Sequence, residues 1–506
     1  MSLFIGADIG TTNIKVIACN DKNEVLLSES SPCTTIQSSP EKVEQDPQII
    51  LESVSELLKR TITQLKGQPL GGICFSSAMH SIMAIDADNN PLTPAILWGD
   101  TRSMQQANEL TTSGAAARLY RETGVPIHPA LPLCKIIWMK EEIPEVFNRA
   151  YKFISLKEYL FAHWFGKYVI DHSIAGATGM QNIHTLQWSD TALRSAGISA
   201  AQLSQIVPVT HIEKQLVPKY RDYFSIDEDI PFVVGSSDGC LANVGTGVLT
   251  AGEATLTVGT SGAVRTTITQ PSLNNEATLF CYPFMKDMFV KGGAVNNGGQ
   301  VLQWFAASFM NRKLTLESDY ALLVDQAFTV EAGAGGMIFL PYLQGERAPI
   351  WDANARGVFF GINNLHRQPH FIRAVLEGVS YALYHVFCEL AKQGDTVQTV
   401  YASGGFVQSA NWVQMVCDIF NKKVVVTDVA DASAIGAAML GFYSTGKEKQ
   451  FNIIGSSFKG GTLFDPDKEK HSVYMRQFAI FCSLYEALKN EFPKLHPAST
   501  DIAHAR

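Results

Sequence analysis

The chain has 506 residues, a length that predicts two domains because single hydrophobic cores stop growing well below it. Hydrophobic residues make up 46% and charged residues 17% of the chain, which excludes a disordered or fibrous protein, and the net charge of −8 argues against a nucleic-acid-binding surface. No stretch is apolar enough to span a bilayer, the start lacks the basic residues of a signal peptide, and the nine cysteines include no Cys-x-x-Cys pair. The sequence therefore predicts a cytoplasmic protein that binds neither membrane nor nucleic acid.

The first fifty residues predict a strand, a tight turn, two more strands and a helix. An apolar run reaches Asp8, a short turn follows, and residues 14–18 form a second apolar run, so a hairpin is expected. A third strand begins at Val25. Asp46-Pro47 predicts a helix start, with a capping side chain followed by proline in the first turn. Residues 73–75 read as the next strand.

Two turns have the composition of phosphate-binding loops. In Asp8-Ile9-Gly10-Thr11-Thr12, glycine lets backbone N–H groups approach a phosphate, hydroxyls add donors, and Asp8 offers an oxygen to Mg²⁺ or to its water shell. An ordinary hairpin turn is the alternative. Gly259-Thr260-Ser261-Gly262 repeats the pattern of strand, turn and strand near the start of the second half. The repeat predicts an internal duplication whose two turns hold the phosphates of one nucleotide. Neither is a Walker loop.

Further polar residues follow predicted strands. Asp238 comes after residues 232–235 and could accept a proton from a hydroxyl, although an Asp-Gly turn is the common alternative. His80 could bind substrate hydroxyls or fill a structural position. Arg102 is a candidate for a substrate anion, and an ion pair with Asp100 is its alternative.

Two glycine-containing passages lie in the second half. Glycines in Ser403-Gly404-Gly405 would let adenine or ribose approach the backbone, although a routine strand-to-helix turn explains them as well. The loop Gly345-Glu346-Arg347-Ala348-Pro349 receives no assignment from its chemistry alone.

In their order along residues 5–446, these motifs resemble the FGGY carbohydrate kinases of the sugar kinase/Hsp70/actin superfamily. The resemblance implies an α/β fold of two actin-like (ribonuclease H-like) domains with an interdomain catalytic cleft. The N-terminal domain, 1–247, would bind the acceptor and carry Asp238 near its end. The C-terminal domain, 248–506, would bind the nucleotide and end in a helical tail. ATP and Mg²⁺ are the implied cofactors, a small sugar or sugar acid is the implied partner, and a homodimer is left open.

The resemblance also assigns roles to residues. Asp238 is the implied general base, and Asp8 is the implied metal-binding residue. The nucleotide is expected to contact Gly10, Thr11, Thr12, Asn13, Lys15, Gly259, Thr260, Ser261, Gly262, Gly299, Gln303, Gly404, Gly405 and Ser409. The acceptor is expected to contact Met79, His80, Trp98, Asp100, Arg102, His128, Lys135, Asp171 and Asp238. Family members often carry a third glycine and a polar residue where this chain has Phe406-Val407.

Within the family, residues 75–81, 123–129 and 171–180 look most like gluconate kinases, which implies phosphorylation of D-gluconate to 6-phosphogluconate. Met79-His80 suits D-xylulose equally well, so a xylulose kinase is the alternative enzyme. Glycerol is disfavoured because the Arg-Glu pair of glycerol-type members is absent. An actin- or Hsp70-like ATPase is the alternative from another class, and the separate acceptor residues favour the kinase.

Overall fold

The computed structural model describes residues 2–22, 24–39, 41–226, 229–315, 317–427, 431–448 and 461–495. The chain forms two compact units. The first contains Met1–Thr250, Thr266–Lys291 and Val429–Gly460, and the second contains Ala251–Arg265, Gly292–Asp428 and Gly461–Arg506. The first crossing between the units, at residues 250–251, lies near the predicted domain boundary, and later parts of the chain return to the first unit.

The elements are numbered in chain order. The first 250 residues contain the strands β1 (Leu3–Ile9), β2 (Asn13–Cys19), β3 (Val25–Pro32), β4 (Ile36–Ser39), β5 (Lys42–Gln45), β6 (Leu70–Ser77), β7 (Met83–Ile85), β8 (Ala95–Ile96), β9 (Lys152–Ile154), β10 (Val169–Asp171), β11 (Gln205–Val207), β12 (Ile212–Glu213) and β13 (Phe232–Ser237). Their helices are α1 (Pro47–Gln64), α2 (Met104–Thr112), α3 (Ala115–Thr123), α4 (Pro132–Glu142), α5 (Pro144–Arg149), α6 (Leu156–Phe165), α7 (His172–Ala177), α8 (Asp190–Ala196), α9 (Pro218–Phe224) and α10 (Asp238–Gly245).

The later strands are β14 (Glu253–Val258), β15 (Gly262–Ile268), β16 (Phe280–Met285), β17 (Met288–Val295), β18 (Ile338–Leu340), β19 (Val358–Phe360), β20 (Thr399–Ser403), β21 (Lys423–Thr427) and β22 (Gly461–Phe464). The later helices are α11 (Gln300–Met310), α12 (Glu317–Ala327), α13 (Gln368–Lys392), α14 (Ala410–Phe420), α15 (Ala432–Ser444) and α16 (Lys468–Leu488). Across the described ranges, no helix is both long and apolar enough to cross a membrane.

The first unit is built on a six-stranded sheet in the order β12–β13–β6–β1–β2–β3. The predicted hairpin is confirmed, since β1 and β2 pair antiparallel with Asp8 opposite Lys15. β6 runs parallel to both β1 and β13. The predicted helix start is also confirmed, because the Asp46 carboxylate accepts hydrogen bonds from the backbone N–H groups of Gln48 and Ile49. Apolar side chains of β1, β6 and β13 pack with those of α1 and α6 in a core.

The second unit repeats this arrangement. Its strands lie in a seven-stranded sheet, in which β17, β15, β14, β20, β21 and β22 are successive neighbours. β20 runs parallel to β14 and to β21, as β6 does to β1 and to β13. In each sheet, one strand is joined to its neighbour by a short turn (β1 to β2, β14 to β15), and two parallel strands that follow helices lie on its other side (β6 and β13, β20 and β21). This shared order supports the predicted internal duplication, and it confirms the predicted two-domain α/β fold class.

Helix α15 lies very close to β1 and α10 in the first unit. A Cβ atom added at Gly6 in β1 would lie 2.0 Å from the Ala434 carbonyl oxygen, and one added at Gly245 in α10 would lie 2.0 Å from that of Ala432. Such distances are below any tolerated contact, so glycine is required at both positions. The close approach brings Asp431, the residue before α15, into the neighbourhood of the ends of β1 and β13.

Candidate active site

Three carboxylates of the first unit influence one another at the ends of β1 and β13 and at the start of α15. The pKa of Asp8 is raised to about 7, first by its burial, and then by the negative charges of Asp238 and Asp431. A hydrogen bond from Ser76 Oγ to Asp8 Oδ1, 2.6 Å long, and the charge of Lys15 oppose this rise. Mutual repulsion of this kind favours a bound cation.

Asp431 is the member of this group that the sequence did not single out. It precedes α15 with a left-handed backbone (φ 63°) and forms an ion pair with Lys15. The only feature of the sequence that could have indicated Asp431 is its position directly before a helix of small residues. Lys15, predicted to contact the nucleotide, thus lies on β2 beside the carboxylates.

The described residues contain no group of three histidine, cysteine, aspartate or glutamate side chains arranged to hold a metal by themselves. Mg²⁺ usually keeps several waters and takes only one or two carboxylates together with phosphate oxygens. The carboxylate of Asp8, with two more nearby, fits that kind of site. The role of Asp8 in holding the metal stays a prediction.

The first predicted phosphate turn is pinned by its carbonyl groups. The Thr11 carbonyl accepts a hydrogen bond from Gln45 Nε2 at 2.8 Å, and the Thr12 carbonyl accepts one from the Cys33 N–H at 2.8 Å. A Cβ added at Gly10 would lie 2.6 Å from the Asn13 carbonyl oxygen, so the turn is too tight for another residue. Thr12 and Asn13 remain exposed, where they could meet a ligand.

Asp238 begins helix α10 directly after β13. Its Oδ1 accepts a hydrogen bond from the Gly239 N–H at 2.6 Å. The pairing of β13 with β6 shifts between Val233 and Ser236, and Gly235 in this bulge has a φ of 70°. An added Cβ there would lie 1.8 Å from the Phe75 carbonyl oxygen. The bulge therefore fixes the direction in which the strand leaves towards Asp238.

A buried polar cluster, formed by Lys157, Asp171, Ser173 and Ser236, supports the end of β13. Lys157 Nζ lies 2.5 Å from Asp171 Oδ2, and both side chains are almost fully buried. Ser173 Oγ donates to Asp171 Oδ1 at 2.5 Å, lies 2.6 Å from Ser236 Oγ, and accepts a hydrogen bond from the Ser237 N–H at 2.8 Å. Asp171, predicted to contact the acceptor, is thus the ion-pair partner of Lys157 and the N-cap of α7. Through Ser173 it is linked to the backbone of Ser237, the residue before Asp238.

Lys135 connects two of the predicted acceptor-binding segments. It is fully buried, and its Nζ donates to the His80 carbonyl at 3.0 Å and to the Leu97 carbonyl at 2.6 Å. Burial lowers its pKa to about 7. His80 has a φ of 68°, and its Nδ1 lies 2.8 Å from the Ala177 carbonyl oxygen. Lys135 therefore links the turn at His80 to the loop that carries Trp98.

Arg102 lies between two carboxylates. Its Nη2 is 2.7 Å from Asp100 Oδ2 and 2.5 Å from Glu44 Oε1, and its guanidinium lies over the Trp138 ring at 5.1 Å. The ion pair with Asp100, the alternative considered from the sequence, is therefore present. His128 Nδ1 accepts a hydrogen bond from the Ala130 N–H at 3.1 Å. Contact of Arg102 or His128 with an acceptor stays a prediction.

Met79 and Trp98 complete the predicted acceptor set. Both side chains are partly buried in the first unit. Met79 packs against a small apolar cluster that includes Ile170 and Ile174. Their contact with an acceptor also stays a prediction.

The second predicted phosphate turn is covered by the segment before α11. The N–H groups of Gly298 and Gly299 donate to the carbonyls of Thr260 at 3.1 Å and Gly259 at 2.7 Å. Gly404, with a φ of 95°, also comes close, because an added Cβ would lie 2.4 Å from the Val258 carbonyl oxygen. The structure thus gathers Gly259, Thr260, Gly299 and Gly404 around one turn.

The remaining residues predicted to bind the nucleotide lie on α11 and near the start of α14. Gln303 Nε2 donates to the Tyr320 hydroxyl. Ser409 Oγ caps α14 by accepting a hydrogen bond from the Trp412 N–H at 3.3 Å. Phe406, which replaces a common family glycine, is buried with its ring 5.8 Å from that of Trp412. Its side chain is therefore occupied by packing within the unit.

Comparisons with known proteins agree with this architecture. The models for the N-terminal and C-terminal domains of the FGGY family of carbohydrate kinases match residues 3–245 and 254–445. Gluconokinase of Bacillus subtilis (strain 168) is 40% identical over 98% of both chains. Two structures from Lactobacillus acidophilus, a gluconate kinase and a ligand-bound xylulose kinase, are 34% and 33% identical, each with a TM-score of 0.92 and covering 98% of this chain and 100% of its own. This chain therefore belongs to the FGGY family and is a carbohydrate kinase.

Proposed function

We propose that this chain transfers the γ-phosphoryl group of ATP to the terminal hydroxyl of D-gluconate in the cytoplasm, forming 6-phosphogluconate. The observation that carries the proposal is the 40% identity, over 98% of both chains, with a protein named gluconokinase. A solved gluconate kinase with a TM-score of 0.92 supports it. D-Xylulose is the second candidate, because a xylulose kinase structure is almost equally similar. An ATPase without a sugar acceptor is not retained for a member of this family.

Asp238 is the proposed general base. Phosphoryl transfer passes through a loose transition state, so the acceptor proton leaves late and a carboxylate of ordinary basicity suffices. The acceptor oxygen forms its bond to phosphorus, the bond from the γ-phosphorus to the leaving oxygen of ADP breaks, and Asp238 takes the acceptor proton. The bulge at Gly235 and the buried Lys157 cluster hold the backbone on which Asp238 is carried.

Asp8 is the proposed site for Mg²⁺, either directly or through water, with Asp431 and Lys15 beside it. When bound, Mg²⁺ offsets the charge of the phosphate oxygens. Thr11 and Thr12 offer hydroxyls to the phosphates in the first unit, and the turn at Gly259-Thr260 offers backbone and hydroxyl groups in the second. Gly405 leaves room for the nucleoside, because a Cβ there would meet nothing within 4 Å, whereas Gly404 lies against the Val258 carbonyl.

The segments at His80, Arg102, His128 and Lys135 are the ones expected to recognise the gluconate carboxylate. A buried carboxylate needs a cation or several N–H donors. Arg102 already has two carboxylate partners, and Lys135 has two carbonyl partners. We propose that these two residues act mainly by shaping the acceptor segments, while His80 and His128 remain candidates for direct contact.

Phosphorus NMR of the reaction products tests the proposed reaction. With ATP, Mg²⁺ and D-gluconate, we expect one equivalent of ADP and one phosphomonoester at the terminal carbon. Asp238→Asn should keep the fold and lower kcat by about 10²–10⁴-fold, because asparagine fills the site without accepting a proton. ADP release independent of any polyol would contradict the proposal, and turnover of D-xylulose alone would select the second candidate.

A further inference from the structure

The loop Gly345-Glu346-Arg347-Ala348-Pro349 contains a carboxylate that is buried within the second unit. Glu346 is 1% exposed. Its Oε1 accepts hydrogen bonds from the backbone N–H groups of Asn296 at 2.5 Å and Arg347 at 2.8 Å, and its Oε2 accepts one from Asn297 Nδ2 at 3.1 Å. Both oxygens are therefore directed at neighbouring backbone and amide groups, two of which belong to the segment after β17.

The Asn297 amide is locked in one orientation. Its Nδ2 also donates to the Gly345 carbonyl at 2.8 Å, and its Oδ1 accepts a hydrogen bond from the Leu343 N–H at 3.1 Å. Turning the amide over would break both bonds, so its NH₂ group must face Glu346. Only an acceptor oxygen at that position of residue 346 satisfies the arrangement.

Asn296 is held by the same loop on its other side. Its Nδ2 donates to the Gln344 carbonyl at 3.0 Å, and its Oδ1 accepts a hydrogen bond from Arg347 Nε at 2.7 Å. With the bond from its backbone N–H to Glu346, Asn296 has three fixed contacts with residues 344–347. The loop thus determines where the chain leaves β17.

The segment that Glu346 holds leads directly to the second phosphate turn. Gly298 and Gly299, the next two residues, donate to the carbonyls of Thr260 and Gly259. An added Cβ at Gly298 would lie 2.4 Å from the Ser261 carbonyl oxygen. Gly298 follows Asn297 directly in the chain. A change at Glu346 that moves Asn297 will therefore also move the contact between Gly298 and the turn.

We propose that Glu346 is a positioning residue for the nucleotide: through Asn296 and Asn297 it fixes Gly298-Gly299 against the turn at Gly259-Thr260 and thereby sets the affinity for the phosphates of ATP. The inference rests on the proposed function only in taking this turn as a phosphate-binding turn. Burial raises the pKa of Glu346 to about 7, and the hydrogen bonds from Asn296, Asn297 and Arg347 oppose this rise by favouring the ionised form. In that form the carboxylate accepts stronger hydrogen bonds than a neutral group would, which suits a residue that must hold a loop in one position. Positioning the second phosphate turn is thus the role of the loop Gly345-Glu346-Arg347-Ala348-Pro349.

The test compares matched glutamate-to-glutamine variants. Glu346→Gln places an NH₂ group against the locked NH₂ of Asn297. Glu377→Gln is the control: Glu377 is equally buried in the second unit, but it accepts hydrogen bonds from the Gly333 N–H at 2.9 Å and Arg373 Nε at 2.7 Å, away from residues 259–300. Glu346→Asp, which keeps the charge but is one methylene shorter, serves if the glutamine variant does not fold.

The readouts are the Kd for ADP, measured by calorimetry without acceptor, and the KM values for ATP and D-gluconate. Glu346→Gln should raise the ADP Kd and the ATP KM by about fivefold or more, leaving the D-gluconate KM within about twofold. Glu377→Gln should lower the melting temperature without raising the Kd for ADP. The inference is overturned if a folded Glu346 variant binds ADP like the parent, or if both glutamine variants weaken ADP equally. Failure to phosphorylate D-gluconate would instead refute the proposed function, since ADP affinity is measured without it.

Discussion

Replacing Lys157 by methionine should reveal how strongly the buried cluster supports the end of β13. Methionine fills much of the same volume without a charge, so Asp171 would keep its negative charge without a cation. Its Oδ1 would retain hydrogen bonds from the Ser173 N–H at 2.9 Å and Ser173 Oγ at 2.5 Å, whereas Oδ2 would lose Lys157.

The expected cost follows from the burial of the pair. Both side chains are at most 1% exposed, so water cannot replace the lost partner. Breaking a buried ion pair by removing one member costs about 3–5 kcal/mol. The retained bonds of Asp171 favour the lower end, about 3 kcal/mol, which is a large share of a typical total stability of about 5–15 kcal/mol. Lys157→Met with Asp171→Asn should recover part of the loss, because no charge remains buried.

Urea unfolding of the parent, Lys157→Met, the double variant and one control variant measures this effect. Arg118→Met is the surface control, since Arg118 is 62% exposed at its side chain and its pair with Glu122 should contribute at most about 1 kcal/mol. The Lys157 variant should also lose kcat at unchanged ATP KM, because Ser237 is held by the cluster next to Asp238. An unfolding midpoint equal to that of Arg118→Met would refute the reasoning.

Two further predictions concern Asp8 and Lys135. Asp8→Ala should raise the Mg²⁺ concentration for half-maximal rate by roughly 10–100-fold at an unchanged acceptor KM, and an unchanged Mg²⁺ requirement in a titration would make Asp8 purely structural. Because the folded-state pKa of Lys135 is lowered to about 7 from an ordinary value near 10.5, the unfolded chain binds an extra proton between these pH values. The free energy of unfolding should therefore rise with pH across this window in the parent relative to Lys135→Met, and parallel pH profiles in denaturant titrations would contradict this.

Local features were predictable because their physics is local. The hairpin at Gly10 and the helix start at Asp46 follow from glycine geometry and side-chain capping, which depend on a few adjacent residues. The two-domain kinase fold was implied by the resemblance of the ordered motifs to the FGGY family. None of these required knowledge of distant contacts.

The contacts of the site were not predictable in the same way. Lys15 forms its ion pair with Asp431, which lies 416 residues away in the sequence. The residues around Asp431 give no indication of this ion pair. Arg102 was predicted to bind a substrate anion, with an Asp100 ion pair as the alternative, and its second carboxylate, Glu44, comes from 58 residues away. Lys135 lacked any sequence signal for its carbonyl partners. Tertiary packing decides such partners, so the sequence identifies candidates but not what they touch.

The ratio of kcat/KM for D-gluconate to that for D-xylulose, measured with Mg²⁺ and ATP at fixed pH, tests the central claim most directly. A site suited to a carboxylate gains a charged hydrogen bond worth roughly 1.5–3 kcal/mol, so we expect D-gluconate to be favoured by at least about tenfold. The same ratio is measured in Arg102→Met and Lys135→Met. If either residue contributes to recognition of the carboxylate, its variant should show a smaller preference for D-gluconate over D-xylulose. A ratio below one would contradict the account and identify the enzyme as a pentulose kinase.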